Sequence, residues 1–336
     1  MKLKTSNSTV EADVNLQYAS LKSLKESLPN LRMNVTMRAV SIKNTDILYF
    51  NPQLIKQPFF KDKMNVTTIS GVLTGQVKNL KGKNVVVTTG KRTILKTGFI
   101  ITGLPDAVKA TYFFPDLNVS TGKSDIEMMA GPMIPKSIDL PEDITMQVAF
   151  KGKMKSFETT MRLTSSFGNA GLTANVDQQE NFSSQLNISD FDLGKLMKDK
   201  VMYGPVTLKA EITGHGLDKK TISASLKAEV PQIYLNKYTY HNLNIDGKVT
   251  GQEFEGKVKL NDKNAVFDFD GLVNLNPTKE SYKFNLNVQG VDLQKLNFTK
   301  DDLRISLNAS ADLKGGTITS LNGKAGISKI ILAHGL

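Results

Sequence analysis

Every second residue is apolar over long stretches of this chain, and this alternation is the feature that most constrains its fold. In the segment 206–213 the apolar side chains run from Val206 to Ile212, and the residues between them are polar or charged. Successive side chains of a β-strand point to opposite faces of a sheet, so the segment predicts a strand with one apolar and one polar face. The same pattern recurs at 144–150, 243–250 and 282–288.

The alternation also predicts the kind of sheet. An antiparallel sheet with one covered face alternates in this way, whereas a parallel sheet gives continuous apolar runs separated by helices. We predict an all-β fold: an elongated, repetitive antiparallel sheet with on the order of 18 strands and a few short helices. Helical patterns are confined to Tyr18–Ser27 and Phe191–Lys200. A Gly-Lys-Ser sequence at 122–124 lacks the first glycine of a phosphate-binding loop and predicts a hairpin.

The residue inventory argues against covalent catalysis and against metal or cofactor chemistry. The chain has no Cys, which excludes disulfides, thiolate nucleophiles and thiolate metal sites. Its three histidines, His215, His241 and His334, have no metal-ligand spacing. The formal charge of +11 comes from basic residues scattered singly along the strands, which favours a solvated face over a nucleic-acid site. We predict a protein that is not an enzyme, with no cofactor and no nucleic-acid partner.

Four aspartates stand where predicted strands end: Asp46, Asp125, Asp192 and Asp292. Repetition makes them the best catalytic candidates in the chain. However, acidic side chains at strand ends commonly cap a turn or a short helix. We predict a structural turn or cap role for all four.

The predicted sheet is built from sequence repeats. Residues 186–196 align with residues 286–296 with six of eleven positions identical, at an offset of 286 minus 186, or 100 residues. We therefore predict that residues 1–336 form one continuous repetitive segment. No signal-peptide core and no apolar run long enough to span a bilayer occurs, so we expect a fragment of a longer chain. The approximate repeat units are 31–115, 116–185, 186–285 and an incomplete 286–336.

The apolar face of the predicted strands is the candidate binding surface. Its side chains alternate with polar ones on strand after strand, which predicts that they line one side of the sheet. The predicted lining residues are Val206, Leu208, Ala210, Ile212, Leu243, Ile245, Val249, Phe254, Val258, Leu260, Phe267, Phe269, Tyr282, Phe284, Leu286, Val288, Leu303, Ile305 and Leu307.

Particular stretches carry a resemblance to a known family: Asn44–Leu54 with Gln57–Phe60, Thr97–Asp106, and the Asp192–Leu196 repeat. Over essentially its whole length the chain resembles the TamB branch of the AsmA-like superfamily, in its Bacteroidetes form. Proteins of that family are anchored in the inner membrane by one N-terminal helix and extend across the periplasm as a long U-shaped sheet, the β-taco. The resemblance implies a sheet curled into an open U-shaped groove.

The resemblance also implies a function and a location. The chain is expected to be a periplasm-spanning apolar groove that carries phospholipid acyl chains between the inner and outer membranes and supports outer-membrane biogenesis. It would be periplasmic, anchored to the inner membrane by a segment that this sequence does not contain. Its protein partner would be a BamA-family outer-membrane barrel that contacts regions outside this sequence.

Three alternatives stay open at this point. The first is a scaffold or chaperone for outer-membrane protein assembly with a BamA-family barrel, since an exposed sheet edge can template strand addition. The second is an outer-membrane barrel, because alternation alone does not say which face meets lipid. The absence of Trp and the uneven repeat lengths argue against that barrel. The third is an ordinary sandwich whose apolar faces form a covered core.

Overall fold

The computed structural model of the chain describes residues 1–18, 20, 27–218, 221–316 and 320–335. Strands hold 63% of the described residues, and every helix among them is short. The ladders are antiparallel and not closed, which confirms the predicted all-β fold class. The chain divides into two compact units, which we call unit 1 (Met1–Ser166) and unit 2 (Phe167–Leu336).

Unit 1 is a ladder in which each strand pairs with the next along the chain. A 3₁₀ helix, Leu28–Asn30, precedes the third strand. The strands are β1 (Lys2–Lys4), β2 (Thr9–Gln17), β3 (Arg32–Lys43), β4 (Val66–Gln76), β5 (Asn79–Thr89), β6 (Thr93–Thr102), β7 (Thr111–Thr121), β8 (Ile144–Lys153) and β9 (Ser156–Ser165).

Two connectors of unit 1 contain helices. The first joins β3 to β4 and contains α1 (Asn44–Phe50), a 3₁₀ helix (Pro52–Lys56) and α2 (Pro58–Lys61). The second joins β7 to β8 and contains α3 (Lys123–Ala130) and a 3₁₀ helix (Gly131–Met133).

Unit 2 continues the same plan with longer strands and one short helix, α4 (Leu193–Leu196), after its second strand. Its consecutive strands are also paired antiparallel. The strands are β10 (Gly168–Val176), β11 (Asn181–Asp192), β12 (Tyr203–His215), β13 (Ser223–Leu235), β14 (Tyr238–Thr250), β15 (Glu253–Asp262), β16 (Ala265–Asn274), β17 (Ser281–Asp292), β18 (Leu303–Lys314) and β19 (Asn322–His334).

The helices differ from the sequence-based predictions. The helix predicted at Phe191–Lys200 is reduced to α4, because its first two residues are the last two of β11. The prediction for Tyr18–Ser27 falls largely on residues 19 and 21–26, which lie outside the described residues. The hairpin predicted at the Gly-Lys-Ser sequence is wrong, since β7 ends at Thr121 and α3 begins at Lys123. Only eight residues long, α3 gives too few turns for a clear helical period.

Strand direction explains where the connectors lie. Alternate strands of an antiparallel ladder run in the same direction, so β3 and β7 end at the same edge of unit 1. The two helical connectors of unit 1 therefore share this edge, and α2 packs against α3 there. By the same reasoning β11 and β17 end at one edge of unit 2. Each of the four aspartates follows or ends one of these strands.

The sequence repeat of unit 2 has a structural counterpart. The pairing of β11 with β12 shifts register between Ile188 and Phe191, and the pairing of β17 with β18 shifts between Val288 and Val291. These positions differ by 100 residues in both cases. A bulge bends its strand and increases the local twist. The two segments thus share a strand, a bulge and a terminal aspartate.

Candidate functional site

An uninterrupted row of apolar side chains crosses all ten strands of unit 2. Directly opposed residues of an antiparallel ladder lie on the same face with their Cβ atoms about 5 Å apart. At about 4.8 Å per strand the row is about 43 Å long. We call it apolar row 2: Leu172, Leu186, Ala210, Ala228, Ile245, Val258, Phe269, Leu286, Ala309 and Ile327.

A corresponding row crosses all nine strands of unit 1, over about 38 Å by the same strand spacing. We call it apolar row 1: Leu3, Val10, Val40, Ile69, Val87, Leu95, Val119, Met146 and Leu163. Neither row contains a polar residue. Each unit therefore presents one apolar strip that runs perpendicular to its strands.

Sequence reasoning recognised the strand at 144–150 that holds Met146 but did not predict apolar row 1, because bulges break the two-residue period elsewhere in unit 1. The register shifts between Ser70 and Val72 and between Gly82 and Val85. A bulge changes which face the following residues occupy, so the apolar residues of these strands no longer alternate in sequence. A glycine inside a strand marks such a position, and Gly71, with φ +129°, is the available signal.

All nineteen predicted lining residues lie in strands of unit 2. Val206, Ala210 and Leu260 are buried, and the other sixteen are half-buried. The ladder brings many of them into direct opposition, for example Leu243 with Leu260 and Leu260 with Phe267. Strand β13 was absent from the prediction, although its residues from Ala224 to Val230 supply the link between β12 and β14.

The degree of burial distinguishes these rows from a sandwich core. Across both rows only Val40 and Ala210 are buried, and the end residues Leu3 and Ile327 are exposed. The remaining side chains are half-buried. The inner faces of a sandwich pack against a second sheet and form a closed core, whereas each unit here is one continuous ladder. Half-burial of a single apolar face is consistent with a sheet curled around that face.

Three glycines form a row beside apolar row 2. Gly247 opposes Gly256, and Gly256 opposes Gly271. A Cβ atom on Gly247 would lie 2.6 Å from the ring of Phe254, and one on Gly271 would lie 2.5 Å from Cβ of Phe284. Glycine allows this close approach of an aromatic side chain and of the neighbouring backbone, and it permits the sheet to bend.

The opposite face of unit 2 carries charged residues of both signs. Glu211, Lys227, Asp246, Lys257 and Asp270 oppose one another in that order, so the sign of the charge alternates from strand to strand. Opposite charges in direct cross-strand pairs stabilise a sheet, and Nζ of Lys257 lies 3.6 Å from Asp270. A depression of about 590 Å³ is lined by Glu211, Lys227, Asp246 and Lys257 of this face, and also by Leu186, Ala210, Ala228 and Ile245 of apolar row 2.

Two of the four aspartates occupy equivalent positions in the repeats. Asp192 Oδ1 accepts a hydrogen bond of 2.9 Å from the backbone N–H of Lys195, and Asp292 Oδ1 accepts one of 3.0 Å from Lys295. Arg304 Nε lies 3.4 Å from Asp292. The backbone hydrogen bond from Lys295, aided by the charges of Lys295 and Arg304, lowers the pKa of Asp292 despite its burial. Both carboxylates hold the start of their own connector.

Asp125 is buried and holds a turn of a neighbouring connector. Its carboxylate accepts hydrogen bonds of 2.8–2.9 Å from the three backbone N–H groups of residues 91–93 and from the Thr93 hydroxyl. Burial by itself raises the pKa of Asp125, but these four hydrogen bonds outweigh it and the pKa lies below the ordinary value. The carboxylate thus joins α3 to the turn between β5 and β6.

Asp46 lies at the start of the other helical connector and binds the β1–β2 turn. It accepts hydrogen bonds from the Thr5 hydroxyl and from Asn7 Nδ2, the latter at 3.1 Å. Hydrogen bonds from Ser8, Thr5 and Asn7 lower the pKa of Asp46. All four aspartates therefore hold connectors in the described structure.

The most buried polar network of unit 2 surrounds Asp262, whose side chain is fully buried. It accepts hydrogen bonds from the Tyr238 hydroxyl at 2.5 Å, from the backbone N–H of Asn264 at 2.9 Å and from that of His241 at 3.1 Å. Burial, and then the hydrogen bond to Asp262, raises the pKa of Tyr238 to about 12. Burial of Asp262 would raise its pKa, but the hydrogen bonds prevail and lower it.

His241 Nδ1 lies 3.2 Å from Asp262 Oδ2, the kind of carboxylate–imidazole contact that orients a general base. Nucleophilic catalysis also needs a hydroxyl or thiol within reach of the imidazole. In the part of the chain that the structure describes, no hydroxyl group hydrogen-bonds to His241. The hydrogen bonds of Asp262 connect β14, β15 and the turn before β16.

The described ranges contain no group of three His, Asp or Glu side chains able to hold a metal ion. Within the same ranges, no helix has the length and apolarity needed to cross a membrane. No protein-family model, no curated protein and no solved structure matches the chain.

Proposed function

We propose that this chain forms an apolar groove that binds phospholipid acyl chains and carries them between the inner and outer membranes, in support of outer-membrane biogenesis. The observation that carries the proposal is the presence of an uninterrupted apolar row across every strand of each unit. The resemblance to the TamB branch adds the location: periplasmic, anchored to the inner membrane outside this sequence. It also adds the partner, a BamA-family barrel that contacts other regions.

The energy of transfer is sufficient for capture. Each methylene moved from water to an apolar surface gains about 0.8 kcal/mol, so an acyl chain of about sixteen carbons gains roughly 12 kcal/mol before entropy costs. Apart from Val40 and Ala210, every side chain of the two rows is at least partly exposed and can contact such a chain. On the opposite face of unit 2, charged side chains form ion pairs across strands, as Lys257 does with Asp270 and Lys259 with Asp268.

Uniformity of the rows supports movement. One leaflet of a bilayer has a hydrocarbon thickness of about 15 Å, so an acyl chain covers about a third of the 43 Å length of apolar row 2. Neighbouring positions along the row are chemically alike. A lipid that shifts by one strand exchanges one set of apolar contacts for another, with little net change in free energy. The proposed role is therefore binding and conduction rather than catalysis, and it requires no cofactor.

A second candidate, a scaffold or chaperone for outer-membrane protein assembly, is favoured by one observation. Strand β19 exposes Ile327, Ile330, Ile331 and Leu332, each by 60–65%. Apolar side chains on a strand are suited to pair with another apolar strand. Phospholipid that co-purifies with the protein and crosslinks to row residues would favour the lipid groove over the scaffold.

Photocrosslinking at adjacent residues of one strand tests the groove. A photoreactive amino acid replaces either Ile245, in apolar row 2, or Asn244, on the opposite face of the same strand β14. We expect phospholipid adducts from position 245 and few from position 244. Equal labelling at the two positions would show that the apolar face has no special affinity for lipid.

Introduced charge provides the second arm of the test. Ile245→Lys places an ammonium group in the row, and Asn244→Lys places the same group on the solvated face. Circular dichroism first establishes that both variants fold. We expect Ile245→Lys to abolish lipid adducts at row positions on the neighbouring strands, such as Val258, while Asn244→Lys leaves them unchanged. Equal effects of the two variants would defeat the proposal.

A further inference from the structure

The first helical connector of unit 1, residues 44–65, is firmly held on its inner side. Asn44 is fully buried, and its Nδ2 donates hydrogen bonds to the carbonyl oxygens of Phe59 at 3.0 Å and Asp62 at 2.8 Å. The backbone N–H of Asn44 also donates to the carbonyl oxygen of Asn65 at 2.9 Å. Phe59 and Phe60 form a half-buried edge-to-face pair with centroids 5.0 Å apart. The connector is therefore a fixed structure with its own interior.

Its outer side carries an unexplained aromatic pair. Tyr49 and Phe50, the last two residues of α1, are 82% and 84% exposed. Their rings form an edge-to-face pair with centroids 5.5 Å apart. The connector already supplies Phe59 and Phe60 for internal packing, so these two rings have no role in that packing. Adjacent aromatic side chains this exposed indicate an interaction surface.

Unpaired positive charge accompanies the aromatic pair. Lys56, Lys61 and Lys63 are exposed, and none of them forms an ion pair with any described residue. The acidic groups of the connector are already engaged: Asp46 accepts hydrogen bonds from the β1–β2 turn, and Asp62 accepts one from the backbone N–H of Met64. The connector therefore carries three exposed lysines without an ion pair among the described residues, together with its exposed aromatic pair.

We propose that this surface, the connector patch (Tyr49, Phe50, Ile55, Lys56, Lys61 and Lys63), binds the surface of an anionic phospholipid bilayer. Aromatic side chains combine an apolar ring with a hydroxyl group or a partly positive ring edge, and they favour the boundary between lipid headgroups and acyl chains. Lysine ammonium groups bind anionic headgroups while their methylene stems follow the apolar boundary. Both groups are present here on one short connector.

The same composition argues against a protein partner. Lysine is depleted in the contact regions of protein–protein interfaces, whereas aromatic residues are enriched there. A patch that combines both types matches a membrane interface better, where anionic headgroups lie directly above an apolar layer. The inference is independent of the groove, because the connector patch lies at an edge of unit 1 and contains none of the row residues.

A single introduced tryptophan reports insertion directly, since the chain has no Trp of its own. Phe50→Trp keeps the aromatic character of the patch, and Phe298→Trp is the control at an exposed aromatic position of unit 2. With vesicles of phosphatidylcholine and phosphatidylglycerol, we expect Phe50→Trp emission to shift to shorter wavelength and to be quenched by brominated acyl chains. Unchanged emission, or equal quenching of both variants, would overturn the proposal.

Vesicle flotation tests the energetic contribution of the patch. We expect the double variant Tyr49→Ser/Phe50→Ser to lower the partition coefficient onto anionic vesicles by about tenfold or more. Replacing the three lysines of the patch with glutamine should lower it by about fivefold per residue, and added salt should reduce wild-type binding. The matched control neutralises three exposed lysines at the opposite edge of unit 1, at the β8–β9 turn: Lys151→Gln, Lys153→Gln and Lys155→Gln.

The outcomes separate this inference from the proposed function. Ile245→Lys should retain vesicle binding, and the patch variants should retain lipid adducts at position 245 when lipid is supplied in detergent. Absence of wild-type binding to anionic vesicles, or an equal loss in the lysine control, would overturn the connector patch without bearing on the groove. Absence of lipid adducts at position 245 of the otherwise unaltered protein, with vesicle binding retained, would overturn the groove alone.

Discussion

The glycine row of unit 2 permits a sharp test of the packing that shapes the apolar face. Gly256 lies between Gly247 and Gly271, and a Cβ atom at Gly256 would lie 2.4 Å from the carbonyl oxygen of Asp246 and 2.4 Å from Cα of Gly247. These are backbone atoms and cannot rotate away. To reach an ordinary contact, β14 and β15 would have to separate by about 1 Å, against their own hydrogen bonds.

The expected magnitude follows from two opposing terms. Forcing one extra carbon into a packed site costs typically about 1–3 kcal/mol. Replacing glycine with alanine in a strand recovers about 0.5–1 kcal/mol of unfolded-state entropy. We therefore expect Gly256→Ala to lower the free energy of unfolding by about 1–2 kcal/mol. For a unit of this size, each kcal/mol lowers Tm by about 2–4 °C.

Gly290→Ala is the matched control, because it introduces the same methyl group in another strand of unit 2 where no atom lies within 4 Å of the new Cβ. We expect this variant to be neutral or slightly stabilising. Thermal and urea unfolding of the two variants beside the parent protein measure the difference. If Gly256→Ala were as stable as Gly290→Ala, the close approach of β14 and β15 at this row would be refuted.

Three further predictions concern polar groups that are buried or half-buried. Asp262→Asn should lower the free energy of unfolding of unit 2 at neutral pH and make that free energy less dependent on pH in acid. The pKa of Asp262 is lowered in the folded state, so its carboxylate contributes stability that is complete above the ordinary pKa near 4 and is lost as pH falls through the folded-state pKa. If the free energy of unfolding, measured with urea, depended on pH in the same way in Asp262→Asn and in the parent protein, this prediction would be contradicted. Tyr238→Phe should reduce the loss of stability in alkali, because the contribution of Tyr238 is complete below pH 10 and is lost as pH rises toward about 12; an identical alkaline profile would count against it. Asp125→Ala should cost about 2–3 kcal/mol, since it leaves three backbone N–H groups of the 91–93 turn without their charged acceptor, and hydrogen exchange at those amides should accelerate. Unaltered exchange there would mean that the turn does not depend on Asp125.

The alternation of side chains determined the fold class without reference to any partner strand. A two-residue period is a local property. The residues of segments such as 206–213 and 243–250 therefore predict, by themselves, strands with one apolar face. The repeat at 186–196 and 286–296 is also visible in the sequence, because six of eleven residues are identical, and the two copies have a bulge and a terminal aspartate at equivalent positions.

The sequence did not predict the short helices of unit 1 or apolar row 1, because their hydrophobic patterns are short or interrupted. Helix α1 has seven residues, so its period is too short to read. In unit 1 the bulges near Gly71 and Gly82 move apolar residues between faces, and the pattern in sequence no longer matches the pattern on the sheet. Only the hydrogen-bonded register of the strands shows which apolar residues lie on the same face.

Register itself belongs to the tertiary structure. Whether Val87 stands opposite Ile69 and Leu95 depends on turn lengths and bulges on several strands, and these act together rather than within one segment. The same applies to the alternating charges on the face of unit 2 opposite apolar row 2. The net charge of +11 does not reveal this alternation. The sequence by itself determined that strands with an apolar face would form. The tertiary structure decided that those faces align into one continuous row in each unit, because alignment requires contacts between residues far apart in the chain.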